Sequence, residues 1–204
     1  MNIDKSMDRK ISLITPVSED IVRQLQVDDE VFLTGRLFVM PYSWHFTKAI
    51  DMARAGRMQP RMQPMNLQNG AIIHSPTSYI ETDNDYQIRF IGVTTSSKLN
   101  QWTPDIIKFF RIRCIIGKGG MDEASLAAMR KYGCVYLAMP GGCSPIYTAT
   151  VQALVQEYWL EFDWPDRVLE LSVKGLGPLI VAMDSHGRSL YKERHSSVRL
   201  HINL

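Results

Sequence analysis

The apolar run Ile112–Ile116, the amphipathic segment Asp122–Tyr132 and a second apolar run, Cys134–Met139, form the clearest pattern in the chain. Short apolar runs bounded by turn residues read as buried strands. Asp122 and Glu123 open the middle segment, Arg130 and Lys131 close it, and Gly133 is a stop signal, which together describe a helix whose charges match its dipole. Strand, glycine turn, helix, strand is a βαβ pattern. Its loops belong at the carboxyl ends of parallel strands, where open α/β sheets bind ligands.

The rest of the chain reads around this unit. Lys10–Thr15 is a first strand ending at Pro16, and Ser18 with Glu19 and Asp20 starts a short helix through Leu25. A turn at Val27–Glu30 leads into strand Val31–Leu33, which Gly35 separates from Leu37–Met40. From Ser43 to Ala55, Phe46, Ala49, Ile50 and Ala53 share one helical face, with Gly56 as stop. Ala71–Ile73 and Tyr86–Gly92 are strands, with Asp83–Asp85 turning between them. Thr103 is an N-cap and Pro104 the first helical position of a helix that buries Ile106, Ile107 and Phe110. Val151, Leu154, Val155 and Tyr158 mark a further amphipathic helix, and Val168–Val173 and Leu179–Met183 are strands. Asp184–Gly187 is the turn of a hairpin returning through Ser189–Tyr191. The domain is residues 10–191, between a flexible segment 1–9 and a tail 192–204. The tandem tetrapeptide Arg57–Pro60 and Arg61–Pro64 reads as an extended surface loop, because two prolines so close forbid a helix.

Composition narrows the class. An apolar share of 45% and a charged share of 22% over 204 residues are those of a soluble globular domain with a real core. A formal charge of +2 without a Lys/Arg-rich run argues against nucleic acid as partner. No apolar segment is long enough for a bilayer and the N-terminus lacks a signal-peptide core, so no membrane partner is expected and the cytoplasm is the expected location. Cys114, Cys134 and Cys143 lack paired spacing, which suits a reducing compartment and gives no metal or cluster site on this chain. Cys114 and Cys134 read as core residues. Cys143 follows two glycines, where a thiolate is favoured.

The candidate chemistry lies in Gly117–Gly120. Glycines let a ligand approach the backbone, free N–H groups at a helix start attract anions, and Lys118 adds a full positive charge. The pattern describes an anion site without naming the anion. Lys118 also fits an ordinary turn lysine, Thr94 and Thr95 ordinary β-formers, and His45 a structural hydrogen-bonder.

Ile115–Met121, Pro140–Cys143 and Gly177–Gly187, preceded in order by Leu33–Gly35 and Gly92–Ser96, resemble the β subunit, or C-terminal domain, of the iron–sulfur hydro-lyases of the class I fumarase and L-tartrate dehydratase family. The resemblance runs from about Lys10 to Leu190. It implies an α/β fold of the swivelling β/β/α kind, a central mixed sheet flanked by helices. It also implies a partner α subunit whose cysteines hold a [4Fe-4S] cluster, with no cofactor on this chain, in a hetero-oligomer or, for the isolated chain, a homodimer. The implied activity is reversible water addition and elimination on a small hydroxy-carboxylate. The resemblance assigns catalytic roles to Lys118, Thr94 and Thr95, and substrate contacts to Lys98, Gly119, Gly120 and His45.

Two departures stand against the family pattern. An arginine–aspartate pair expected ahead of His45 falls on Pro41 and Tyr42, and an arginine expected after the threonines falls on Lys98. Arginine grips a carboxylate through two parallel N–H bonds; proline cannot, and lysine does so only as a point charge. Either the substrate carries fewer or differently placed carboxylates, or the chain has left fumarate-type catalysis. Tyr42, Trp44 and Phe46 make that end of the pocket apolar on the first reading, and Arg36 and Lys48 are the cations nearby in sequence. The second reading is a structural or anion-sensing subunit that keeps the fold. Pro41, Tyr42 and Lys98 favour it, while the intact Lys118 loop favours the enzyme.

Overall fold

The computed structural model describes residues 9–56, 65–82, 85–163 and 166–195. The first half of the chain holds β1 (Lys10–Ile14), α1 (Glu19–Val22), β2 (Glu30–Val39), α2 (Ser43–Arg54), β3 (Ala71–Ile73), β4 (Thr77–Thr82) and β5 (Asp85–Ile91). The second half holds α3 (Thr103–Phe110), β6 (Cys114–Gly117), α4 (Glu123–Tyr132), β7 (Val135–Ala138), α5 (Ser144–Thr148), β8 (Val151–Tyr158) and β9 (Val168–Met183). The tandem tetrapeptide, residues 1–8 and residues 196–204 lie outside the described residues.

Local signals set most boundaries. Ser18 caps α1, its hydroxyl accepting from Ile21 N, and Asp122 caps α4, its carboxylate accepting from Ser125 N at 2.9 Å. Gly133 closes α4 in the left-handed conformation, φ +70°. Thr103 is not the cap expected of it. It lies in the first turn of α3, and its hydroxyl donates to Leu99 O at 2.9 Å because residues 96–99 already form a 3-10 turn leading into the helix.

The strands β1, β2, β3, β6 and β7 are parallel, and β9 runs antiparallel to β7, β2 and β8. Because β9 pairs with both β7 and β2, the order β2-β3-β6-β7-β9 closes into a ring, with β1 and β8 as outer strands and β4–β5 as a separate hairpin. Period-two alternation then divides the core. Ala71, Ile73, Cys114, Ile116, Val135 and Leu137 belong to one apolar cluster built mainly from strands. Ile72, Ile115, Cys134 and Tyr136 face a second, completed by Phe46 and Ile50 of α2, Ile106 and Phe110 of α3 and Met129 of α4. The result is the expected mixed sheet flanked by helices.

Several elements differ from the sequence expectations. Gly35 does not divide two strands: β2 passes through it as one strand, with a register shift and φ +112° where Thr15 Oγ1 lies 2.5 Å from the position a Cβ would take. Val168–Val173 and Leu179–Met183 are likewise one strand, β9. The segment Val151–Tyr158 is strand β8, not a helix. Two bulges, at Gln152 and Val155, bring Val151, Leu154 and Glu157 opposite Val173, Leu171 and Leu169, so a strand shows a spacing of three. After the turn at Asp184–Gly187 only the bridge Met183–Ser189 forms, and residues 190–195 are helical, Glu193 N donating to Ser189 O. The hairpin β4–β5 has a first strand that the alternation did not reveal. No helix among the described residues is long and apolar enough to cross a membrane.

Candidate functional site

The carboxyl ends of β2, β3, β6 and β7 share one rim, as successive ladder bonds show. Met40 N donates to Ile73 O at 3.0 Å, His74 N to Ile116 O at 2.8 Å and Met139 N to Gly117 O at 2.8 Å. The segment Thr94–Ser96 is tied to that rim: Thr94 N donates to His74 O at 2.7 Å, Thr95 forms a parallel bridge with Lys118, and Ser96 N donates to Lys118 O at 3.1 Å. Thr95 Cγ2 lies 3.9 Å from where a Cβ on Gly119 would stand, and Lys118 Cδ lies 3.7 Å from the same point on Gly141. Thr94, Thr95, Lys118, Gly119 and the Pro140–Cys143 turn therefore converge. Among the described residues Lys118 has no carboxylate within ion-pair distance.

The helix start contributes less to anion binding than the sequence implied. Asp122 already occupies the α4 N-terminus with its own carboxylate, so the anion-attracting groups are the Lys118 ammonium and the loop ahead of it. Gly120 lies under the ring of Tyr191, whose Cδ2 is 3.1 Å from the Cβ position. Lys98 is exposed on the 3-10 turn that follows the threonines.

His45 stands apart. It is fully buried, its Nε2–H donates to Asp166 O at 2.7 Å, and its ring is packed among Tyr42, Trp44 and Trp159. Burial lowers its pKa to about 4, so it is a neutral imidazole anchoring the turn around residue 166. Pro41 is buried, and Tyr42 stacks on Trp44 at 4.2 Å. Phe46 is not a pocket residue: it is fully buried in the second core cluster, edge-on to His74 at 5.6 Å.

Three residues escaped the sequence reading. His74 Nδ1 lies 3.0 Å from Ser96 Oγ, and Tyr136 Oη–H donates to the same oxygen at 2.9 Å, all of it buried. Burial takes the His74 pKa down to about 3 and pushes the Tyr136 hydroxyl upward. The one available signal was position, since His74 directly follows a strand whose end lies on the ligand rim.

Cys114 and Cys134 are fully buried, and burial pushes the Cys114 thiol up to about 12 and Cys134 upward as well. Among the described residues no three His, Cys, Asp or Glu side chains are grouped so as to hold a metal ion. Cys143 is half-buried against the first core cluster.

Two stability results follow from this geometry. A Cβ at Gly117 would stand 1.9 Å from Ser96 Oγ and 3.0 Å from Tyr136 Oη, so Gly117→Ala is expected to cost about 1–3 kcal/mol in urea unfolding; an unchanged midpoint would contradict the close approach. His45 and His74 are held neutral, whereas in the unfolded chain they protonate near the ordinary histidine value of 6.5. The unfolded state then binds more protons as pH falls, and stability drops by up to about 1.4 kcal/mol per pH unit per histidine. That loss begins near 6.5 and continues to about 4 for His45 and about 3 for His74. Unfolding at pH about 7.5 and about 5.5 tests the sign. A protein that gains stability on acidification through that window does not bury both imidazoles.

The chain matches the fumarase C-terminus family over residues 2–194. A Methanocaldococcus jannaschii protein, provisionally named L(+)-tartrate dehydratase subunit beta, is 36% identical over 183 residues, covering 89% of this chain and 91% of the relative. The L(+)-tartrate dehydratase subunit beta of Escherichia coli (strain K12) is 26% identical over 181 residues, covering 89% of this chain and 86% of the relative. A Geobacillus stearothermophilus protein, provisionally named fumarate hydratase class I, is 30% identical over 190 residues; the match covers 93% of this chain but 35% of that longer protein. With a match of that extent, this protein belongs to the fumarase C-terminus family, in the form taken by the β subunits of hydro-lyases.

Proposed function

We propose that this chain is the substrate-gripping β subunit of a hydro-lyase that adds and removes water on a small hydroxy-carboxylate. Its partner is an α subunit carrying a [4Fe-4S] cluster, in a cytoplasmic hetero-oligomer. The observation that carries this reading is the Thr94–Ser96 segment bonded across the rim to Lys118, whose ammonium has no carboxylate partner among the described residues. On the α subunit the cluster supplies a Lewis acid for the leaving hydroxyl. This chain supplies the rest. Lys118 holds a substrate carboxylate as a point charge, Gly119 lets the ligand lie close to the backbone, and the Thr94 and Thr95 hydroxyls handle the proton next to that carboxylate. Lys98 offers a second charge from the following turn.

A second reading has its own support. The buried Pro41 stands where the family pattern has a guanidinium, which suits a structural or anion-sensing subunit. Anaerobic co-expression with the cysteine-bearing α partner, followed by a screen of hydroxy acids for water loss, separates the two. Turnover of any hydroxy acid by the complex, dependent on both chains, is the expected result. A stable, cluster-loaded complex that dehydrates none of them overturns the enzymatic reading.

A further inference from the structure

We infer that His74, Ser96 and Tyr136 are positioning residues, a buried three-part hydrogen-bonded unit that sets where Thr94 and Thr95 stand relative to Lys118. The geometry joins three elements at one oxygen. Ser96 Oγ accepts from Tyr136 of β7 at 2.9 Å and meets His74 Nδ1, one residue past β3, at 3.0 Å. The backbone of the same residues holds the reacting segment: His74 O accepts from Thr94 N, and Ser96 N donates to Lys118 O. Gly117 makes room for the unit, since any Cβ there would run into Ser96 Oγ.

The burial of the unit argues that it does more than fill space. All three side chains are inaccessible, Phe46 covers one side of His74, and His74 Nε2 has no hydrogen-bond partner among the described residues. Apolar side chains of similar volume would fill this position without an unpaired nitrogen. What they would lack is direction. A hydroxyl fixed from two sides allows one rotation of the Thr94–Ser96 segment, and a displacement near 1 Å at a reacting group costs about 10²-fold in rate.

The kinetic arm of the test rests on the hydro-lyase reading; the exchange arm does not. The full chain, in complex with its cluster-bearing partner, would carry Tyr136→Phe, Ser96→Ala, His74→Leu or His74→Asn. In Tyr136→Phe and Ser96→Ala, hydrogen exchange at the Thr94 and Ser96 amides is expected to speed by about tenfold or more, the equivalent of one lost hydrogen bond, while amides of β6 and β7 keep their protection. In the same variants kcat is expected to fall about 10- to 100-fold with KM shifted less than about twofold. Asparagine at 74 can place its amide oxygen or nitrogen near the former Nδ1, to accept from or donate to Ser96 Oγ, so His74→Asn is expected to recover most of what His74→Leu loses. Unchanged exchange at both amides, wild-type kcat in Tyr136→Phe and Ser96→Ala, or equal losses in His74→Asn and His74→Leu would each overturn the assignment. A wild-type complex inactive on every hydroxy acid, with the exchange effect intact, ends the hydro-lyase reading and leaves the positioning role standing.

Discussion

Lys118→Ala in the assembled complex is expected to lower kcat/KM by about 10²-fold while leaving the fold unchanged. A hydrogen bond to a charged group contributes about 1.5–3 kcal/mol, and leaving the substrate carboxylate without its partner adds to the loss. At about 1.4 kcal/mol per tenfold, those terms reach roughly two orders of magnitude. Stability should change little, within about 0.5 kcal/mol, because the ammonium has no ion pair to lose among the described residues and the stem merely passes Gly141. Lys118→Arg keeps the charge in a larger, planar head, so an intermediate loss is expected. Steady-state kinetics beside a thermal unfolding curve decide the matter. Activity within about twofold of wild type in Lys118→Ala would remove this residue from the site.

The second large effect concerns substrate choice. The complex is expected to prefer a hydroxy acid with an apolar or less charged substituent over malate, by about tenfold or more in kcat/KM. At the β2 end of the rim the expected guanidinium is replaced by buried Pro41, followed by the Tyr42–Trp44 stack. Neither cation nearby in sequence stands free to replace it. Arg36 is paired with the buried Glu170 at 2.7 Å, and that carboxylate also accepts from Tyr158 Oη. Lys48 is paired with Glu161 and lies over the rings of Trp159 and Phe162, at 5.1 and 4.6 Å from their centroids. Withdrawing either would strip a carboxylate of its partner, a heavy cost at Glu170, which is 1% exposed. A dicarboxylate would then reach Lys118 with one end and find at the other only the point charge of exposed Lys98, without the two parallel N–H bonds of a guanidinium. Malate or fumarate turned over at about 10⁴–10⁸ M⁻¹s⁻¹, with no better substrate in the screen, would refute this.

Features governed by neighbouring residues were legible in the sequence. Glycine at positive φ, a capping aspartate, charges ordered along a helix and apolar runs between turns identified β6, α4 and β7. They also identified the Lys118 loop, because each of these signals acts over a few residues. The resemblance to the hydro-lyase β subunits rested on the same short segments. Tertiary structure decided the rest. Val151–Tyr158 has a helical spacing of apolar residues, and only the bulged pairing with β9 makes it a strand. β9 reads as two strands because Gly177–Pro178 interrupts its pattern, yet its pairing with both β7 and β2 closes the ring that aligns the rim. Phe46 and His45 lie one residue apart and were both expected near substrate. The packing of α2 turns one into the core against His74 and ties the other to Asp166. The His74–Ser96–Tyr136 unit joins residues 22 and 40 positions apart, and no local pattern encodes such a meeting. Hydrogen-bond direction among buried groups depends on where whole strands end, and that is set only when the sheet closes.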